Sequence, residues 1–341
     1  MSAAAAEQQL LLRTVDDYLG PGETRFFSRG YQRADYTVYG ITAHPAGAEG
    51  PAVTAKADIG YPADWSKKTA DEDLRPHLST VDALVLGVQL AELHLAHAYG
   101  LDAADRSAMR LRKVVLRAGG APQEELEGIA LSATLKATVA EESARGGHRS
   151  VYDSTVGGLR VRCEIDHPLR TKATAPARYD ALTDALGPGE PRFYGEGFKL
   201  RRHTVEDVRV DMGALTAEAT ARFTAVSDTA PTEGIEGAGP PVVSLVDCFV
   251  VNLQLAQVLM YELDSLTRES SNTLWMMQTV LEAPEDPQPL AVPVSGALET
   301  ATTLTAARKL PLRGGIWRTV ELHSRMAGIE MRCSFAHELP A

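Results

Sequence analysis

In two places an acidic side chain is followed seven residues later by a glutamine. Asp82 and Gln89 lie in STVDALVLGVQLAE (79–92), and Asp247 and Gln254 lie in SLVDCFVVNLQLAQ (244–257). On an α-helix that interval is two turns, so each pair shares a face. A carboxylate beside the free N–H groups of a helix start can do acid–base chemistry on a carbonyl. The N–H groups polarise the oxygen, and the acid takes a proton from the activated neighbour. The same residues have a plainer use. Ser79 with Asp82, and Ser244 with Asp247, have capping-box spacing, in which the acid satisfies backbone N–H groups and complements the helix dipole. Those N–H groups also lower the acid's pKa, so a working base needs a facing surface that desolvates it. A cap needs no glutamine below it, and a glutamine in an apolar helix must find a polar partner. The expectation is that Asp82 is a base oriented by Gln89 and that Asp247 and Gln254 repeat the arrangement.

Other candidates surround the first pair. GYPADWSKK (60–68) precedes only the first helix and supplies Tyr61, Trp65, Ser66, Lys67 and Lys68. Stacking surface, a hydroxyl and cations suit a lid over an anionic or sugar-like substrate, although a plain loop with one packed Trp fits as well. Ser79 joins these as a substrate contact at the helix start. His77 is either an acid–base group or a surface residue. Arg110 and Arg112 either hold a pantetheine or sugar phosphate or decorate a solvated strand edge. His94 and His97 stand three apart with no third ligand in sight, so no metal site is expected. Cys163 and Cys333 read as core thiols. The chain lacks a phosphate-binding glycine fingerprint, a nucleophile elbow and zinc-type Cys/His spacing.

The elements that must position these residues are written twice. LGPGETRFFSRGYQ (19–32) returns as LGPGEPRFYGEGFK (186–199), and VVLRAGGAP (114–122) is answered by TVLEAPEDP (279–287). GGLRVRCEIDHP (157–168) is answered by AGIEMRCSFAHE (327–338), and the two helix segments recur in the same order. Four ordered matches predict a tandem duplication. The halves are expected at 1–173, with 1–13 as a tail, and at 174–341. Val81, Leu84, Val85, Leu86, Val88, Leu90, Leu93 and Leu95 cover every side of the first helix, which predicts a buried rod. RFFSRGYQ, ADYTVYGITAHP, AVTAKADIGYP, AMRLRKVVLRA, GIALSATLKATVA and SVYDSTVGGLRVRCEID each read as one strand. The fold class is therefore α+β, a double hotdog in which each half wraps a curved antiparallel sheet around one long helix. Its sites should lie where one half's helix end meets the other half.

Composition narrows the partners. The 341 residues are 44% hydrophobic and 23% charged, as in a globular protein. A net charge of −11 argues against nucleic acid or an anionic membrane surface. Three cysteines form no disulfide framework, and MSAAAAEQQLLLR lacks a signal-type leader, so a cytoplasmic location is expected. No cofactor is expected to be held permanently.

With the LGPGE-x-RF openings, YPADWSKK before the first helix and the paired D-x6-QLA helices in view, the chain resembles the avirulence protein D (AvrD) family over nearly its whole length. That resemblance implies synthesis of syringolide-type acyl-sugar lactones from a β-ketoacyl thioester and a keto-sugar. The logic is related to that of A-factor-biosynthesis hotdog proteins. The substrates would be an acyl carrier protein or coenzyme A thioester and a small keto-sugar-like acceptor, with possible closure to a butenolide. The chain would be a monomeric pseudo-dimer or a homodimer. Its helices are also similar to those of polyketide dehydratases but lack the His-x3-Gly-x4-Pro partner. A double-hotdog dehydratase or thioesterase, and a non-catalytic acyl-lactone binding protein, remain the alternatives.

Overall fold

The computed structural model describes residues 9–69, 72–73, 75–226, 231–271, 274–290, 295–312 and 314–340. Its strands begin with β1 (Gln9–Thr14), β2 (Asp35–Ala43), β3 (Val53–Gly60), β4 (Lys67–Thr69) and β5 (Glu72–Asp73). They continue with β6 (Arg110–Arg117), β7 (Ile129–Ala140), β8 (His148–Val156), β9 (Leu159–His167), β10 (Ala177–Ala181) and β11 (Arg201–Asp211). The last are β12 (Thr216–Ala225), β13 (Trp275–Glu282), β14 (Ser295–Leu312), β15 (Gly315–Met326) and β16 (Ile329–Glu338). The helices are α1 (Asp16–Leu19), α2 (Thr80–Tyr99), α3 (Ala103–Ser107), α4 (Leu182–Leu186) and α5 (Leu245–Asp264).

Fourteen strands form one sheet in the order β1-β11-β12-β14-β15-β16-β13-β6-β9-β8-β7-β3-β2-β10, while β4 and β5 pair apart. The order is palindromic about the antiparallel β13–β6 seam, where Val280 faces Val115 and Leu281 faces Val114. The protein is thus a large antiparallel sheet with few helices. α2 packs on β8 and β9, and α5 packs on β12 and β14. Both long helices are buried almost throughout, in keeping with their all-round apolar sequence. Each fully buried Leu or Val on them stabilises the fold by roughly 1.5–3 kcal/mol.

Three readings of the sequence need correction. Residues 9–13, expected within a tail, belong to β1, which pairs with β11 in the opposite half, and β10 likewise edges β2. Leu10 and Leu12 turn inward against the core while Leu11 stays exposed, the alternation of an edge strand. The segment SVYDSTVGGLRVRCEID is a hairpin, not one strand, because Gly157 takes φ +52° at its turn. RFFSRGYQ is likewise no strand. Its N–H groups turn back locally, with Ser28, Arg29 and Gly30 all donating to the Arg25 carbonyl.

Gly30 shows why that turn is tight. A Cβ there would stand 2.3 Å from the Trp65 carbonyl oxygen, and the matched Gly197 is closed in by Pro231 and the Arg192 carbonyl. Gly30→Ala is expected to cost roughly 1–3 kcal/mol of stability, because backbone must move to admit the methyl group. Thermal melting of the variant checks this, and an unchanged melting temperature would show that the Trp65 segment yields freely.

Candidate functional site

At the start of α2 the capping box forms as its spacing predicts. Ser79 Oγ accepts from Asp82 N at 3.1 Å, and Asp82 Oδ2 accepts from Ser79 N at 2.7 Å. Sequence reasoning missed what fills the other oxygen. Asp82 Oδ1 accepts from Tyr36 Oη at 2.8 Å and from Tyr61 Oη at 2.6 Å. Asp82 is fully buried, and both tyrosines keep some exposure. Burial raises the Asp82 pKa above the ordinary carboxylate value, and the hydrogen bonds from Tyr61, Ser79 and Tyr36 oppose that rise. Desolvation and the Asp82 charge also push both tyrosine pKa values well up, so the hydroxyls stay protonated and donate.

The start of α5 repeats the cap but differs around it. Asp247 Oδ2 accepts from Ser244 N, from Ser244 Oγ and from Arg201 Nη1, each at 2.9 Å. At the strand position matched to Tyr36 stands His203. Gln254 Nε2 lies 2.9 Å from His203 Nε2, and Gln254 Oε1 accepts from Arg25 Nη1 at 2.7 Å. An arginine can only donate, which fixes the amide orientation and makes the imidazole nitrogen an acceptor. His203 is therefore neutral, in agreement with a pKa that burial pulls down to about 4.

Both glutamines reach the opposite half. Gln89 donates to the Tyr194 carbonyl, and Gln254 Nε2 faces the Phe27 carbonyl at 3.3 Å, the matched position in the other RF turn. One turn along α2, Glu92 is fully buried between Arg106, at 3.5 Å, and Arg192, at 3.7 Å. Each RF turn thus presses its arginine against the other half's helix. The signal for this was present in the sequence, since Arg25 and Arg192 occupy the same place in the two LGPGE blocks.

The remaining candidates fall elsewhere. Trp65 is buried at 2% exposure among Phe26, Tyr61 and His77, with ring centroids 5.1, 4.7 and 5.4 Å away, so it packs as a core residue and is not an open lid. Ser66 is buried beside it. Lys67 opens β4, and its side chain lies outside the described residues. His77 is half-buried with Nδ1 3.3 Å from the Arg75 carbonyl, and no hydrogen bond joins it to Asp82 among the described residues. Arg110 and Arg112 are buried and are not a solvated edge. Arg112 donates to the Pro284 carbonyl at 2.7 Å and pairs with Glu285 at 2.7 Å. Arg110 donates to the Glu285 carbonyl at 3.1 Å. Their guanidiniums stitch β6 to the turn after β13, which leaves them no open face for a phosphate. His94 is also committed to the core, with Nδ1 2.6 Å from Tyr152 Oη.

The family model described as Pseudomonas avirulence D protein (AvrD) matches residues 10–340. No curated protein matches the chain in sequence. Among solved structures it is similar to a conserved hypothetical Mycobacterium tuberculosis protein described as having a double hotdog fold. That match has 9% identity, covers 97% of this chain and 96% of the other, and has a TM-score of 0.41. It is also similar to a putative thioesterase from Novosphingobium aromaticivorans, with 12% identity, 92% and 98% coverage and a TM-score of 0.33. A tesB protein from Mycobacterium avium subs paratuberculosis matches at 5% identity, 77% and 88% coverage and a TM-score of 0.37.

Proposed function

The chain belongs to the Pseudomonas avirulence D protein (AvrD) family, and from that premise we propose that it is a double-hotdog enzyme acting on acyl thioesters. In this reading it moves a β-ketoacyl group from an acyl carrier protein or coenzyme A thioester to a hydroxyl of a small keto-sugar-like acceptor. Closure to a butenolide follows on the product, by an aldol-type C–C bond between the β-ketoacyl α-carbon and the acceptor's ketone carbon and loss of that oxygen as water. The observation that carries the reading is the α2 tip, where one oxygen of a buried carboxylate collects two tyrosine hydroxyls.

The acceptor hydroxyl gives its proton to the Tyr61 oxygen while Tyr61 passes its own to Asp82, whose raised pKa suits it to receive one. The acceptor oxygen then attacks the thioester carbonyl. A C–O bond forms, the C–S bond breaks, and the departing thiolate takes the proton back through the same path. Tyr36 holds the carboxylate in place, and Gln89 ties this helix to the opposite half. Two matched halves, from a duplicated hotdog ancestor, supply the roof that desolvates the site.

Purified protein given a β-ketoacyl thioester and a ketose should yield a new ester or lactone by mass spectrometry. Free acid formed without any acceptor would make it a thioesterase, and unchanged ligand held tightly would make it a binding protein. A second reading, dehydration of a 3-hydroxyacyl thioester, is favoured by one observation. The neutral His203 accepts from Gln254 on the same helix that carries Asp247, and an imidazole and a carboxylate are the kinds of group that loss of water uses. Release of an enoyl product from a 3-hydroxyacyl thioester would move the reading there.

A further inference from the structure

The C-terminal end of α5 carries an acid whose charge the described residues do not balance. A cavity of about 460 Å³ lies there, and Tyr18, Met212, Leu215, Glu262, Leu263 and Leu266 are among the residues that line it. Glu262 is fifteen residues beyond Asp247 on the same helix, about 22 Å along its axis, and the cavity shares no residue with either capped tip. Glu262 stands in the last turn, where free carbonyls already gather negative charge, and that turn holds no basic side chain. Neighbouring cations are engaged elsewhere. Arg318 and Lys309 pair with Asp264, and Arg268 donates to the Thr24 carbonyl at 3.1 Å. Glu262 is left with no ion pair among the described residues. Burial and the facing Glu262 carboxylate raise the Tyr18 pKa, so that hydroxyl stays protonated and lends no further charge.

The matching end of α2 is closed. His97 stands at the place of Glu262, with Nε2 3.1 Å from the Ala175 carbonyl and Nδ1 3.4 Å from Tyr179 Oη. Ala173 N donates to the Ala98 carbonyl at 2.9 Å, and a Cβ on Gly100 would stand 3.1 Å from the Thr171 carbonyl oxygen. The chain that joins the halves thus fills, at α2, the position where α5 has a cavity. A carboxylate at the negative end of a helix is unfavourable by itself, and a bound cation reverses that. A metal ion would want several oxygen ligands, and among the described residues no cluster of acids or histidines is placed to supply them. One acid set among Met212, three leucines and a tyrosine ring suits an ammonium on an apolar body, with the ring open to cation–π contact.

We infer that the C-terminal end of α5 is a binding site for a small organic ammonium, with the charge on Glu262 and the hydrocarbon part on Leu215, Leu263 and Leu266. The inference stands on binding alone, so the absence of acyl transfer would leave it in place.

The test is calorimetry on the full chain with four probes: hexylammonium, hexanol, hexanoate and ammonium chloride. Hexylammonium should bind about tenfold or more tighter than each of the others. Glu262→Gln should abolish the preference for hexylammonium over hexanol. It should also melt no lower than the parent, since it takes a charge off the helix end and keeps an acceptor oxygen for Tyr18. Met212→Trp, which fills the cavity and leaves Glu262 in place, should weaken hexylammonium by about tenfold or more. Equal binding of hexylammonium and hexanol, or a preference that survives in Glu262→Gln, overturns the inference. Unchanged hexylammonium binding in Met212→Trp also overturns it, because the amine would then be held by surface charge alone. So does a Glu262→Gln protein that melts well below the parent, which would mean that the acid already has its counter-charge within the fold.

Discussion

Asp82→Asn is expected to lower acyl transfer by about 10²–10⁴-fold while the chain still folds, the range typical of removing a general base. Asparagine keeps one oxygen for the Tyr36 and Tyr61 hydroxyls but sets its amide against the Ser79 N–H, donor to donor. That lost cap costs about 1 kcal/mol. A second effect offsets it. Because burial raises the Asp82 pKa above 3.8, its contribution to stability is fully present below the unfolded pKa. It is lost as pH rises through the folded value. Ionised Asp82 therefore weakens the fold near neutral pH, and the uncharged Asn removes that penalty, so melting should shift only a little. The rate depends on the opposite protonation state. Activity should rise with pH through a limb that lies above the ordinary aspartate range, and a kcat/KM profile reads this directly. Full activity in a normally folded Asp82→Asn variant would reduce the residue to a helix cap.

Glu92→Gln should be the most destabilising conservative change in the helix, at about 3–5 kcal/mol, the usual cost of leaving buried charges without their partner. Glu92 is fully buried, and its loss would strand Arg106 and Arg192, which are nearly as buried and come from different halves. Burial holds the Glu92 pKa above the usual carboxylate value, and the two arginines pull it back. Chemical denaturation of the parent and variant measures the difference. Adding Arg192→Met to Glu92→Gln should restore part of the lost stability, because an apolar side chain then replaces one stranded charge. A Glu92→Gln protein as stable as its parent would mean that the acid is already neutral in the fold.

The two experiments probe different properties of one junction. Asp82 and Glu92 lie on the same helix, ten residues apart, one at its capped tip and one at its waist. The first receives hydroxyls from its own half and the second receives guanidiniums from its own and the opposite half.

Local features were legible in the order of residues. Capping boxes, all-round apolar helices and most strands follow from side-chain spacing along a few residues, and such short-range patterns survive into the fold. What surrounds each carboxylate depends on contacts between distant parts of the chain. Tyr36 reaches Asp82 from β2, and Arg25 reaches Gln254 across more than two hundred residues of chain. The exchange of β1 and β10 between halves is equally long-range. It follows from edge strands finding unpaired N–H and C=O groups wherever the sheet leaves them. Polar partners in a buried site are chosen by desolvation, which forces every buried donor and acceptor to find the nearest complement in space. Spacing along a chain carries no record of that distance, so Arg110 and Arg112 read as phosphate ligands or a solvated strand edge, while the structure turns them into stitches between halves.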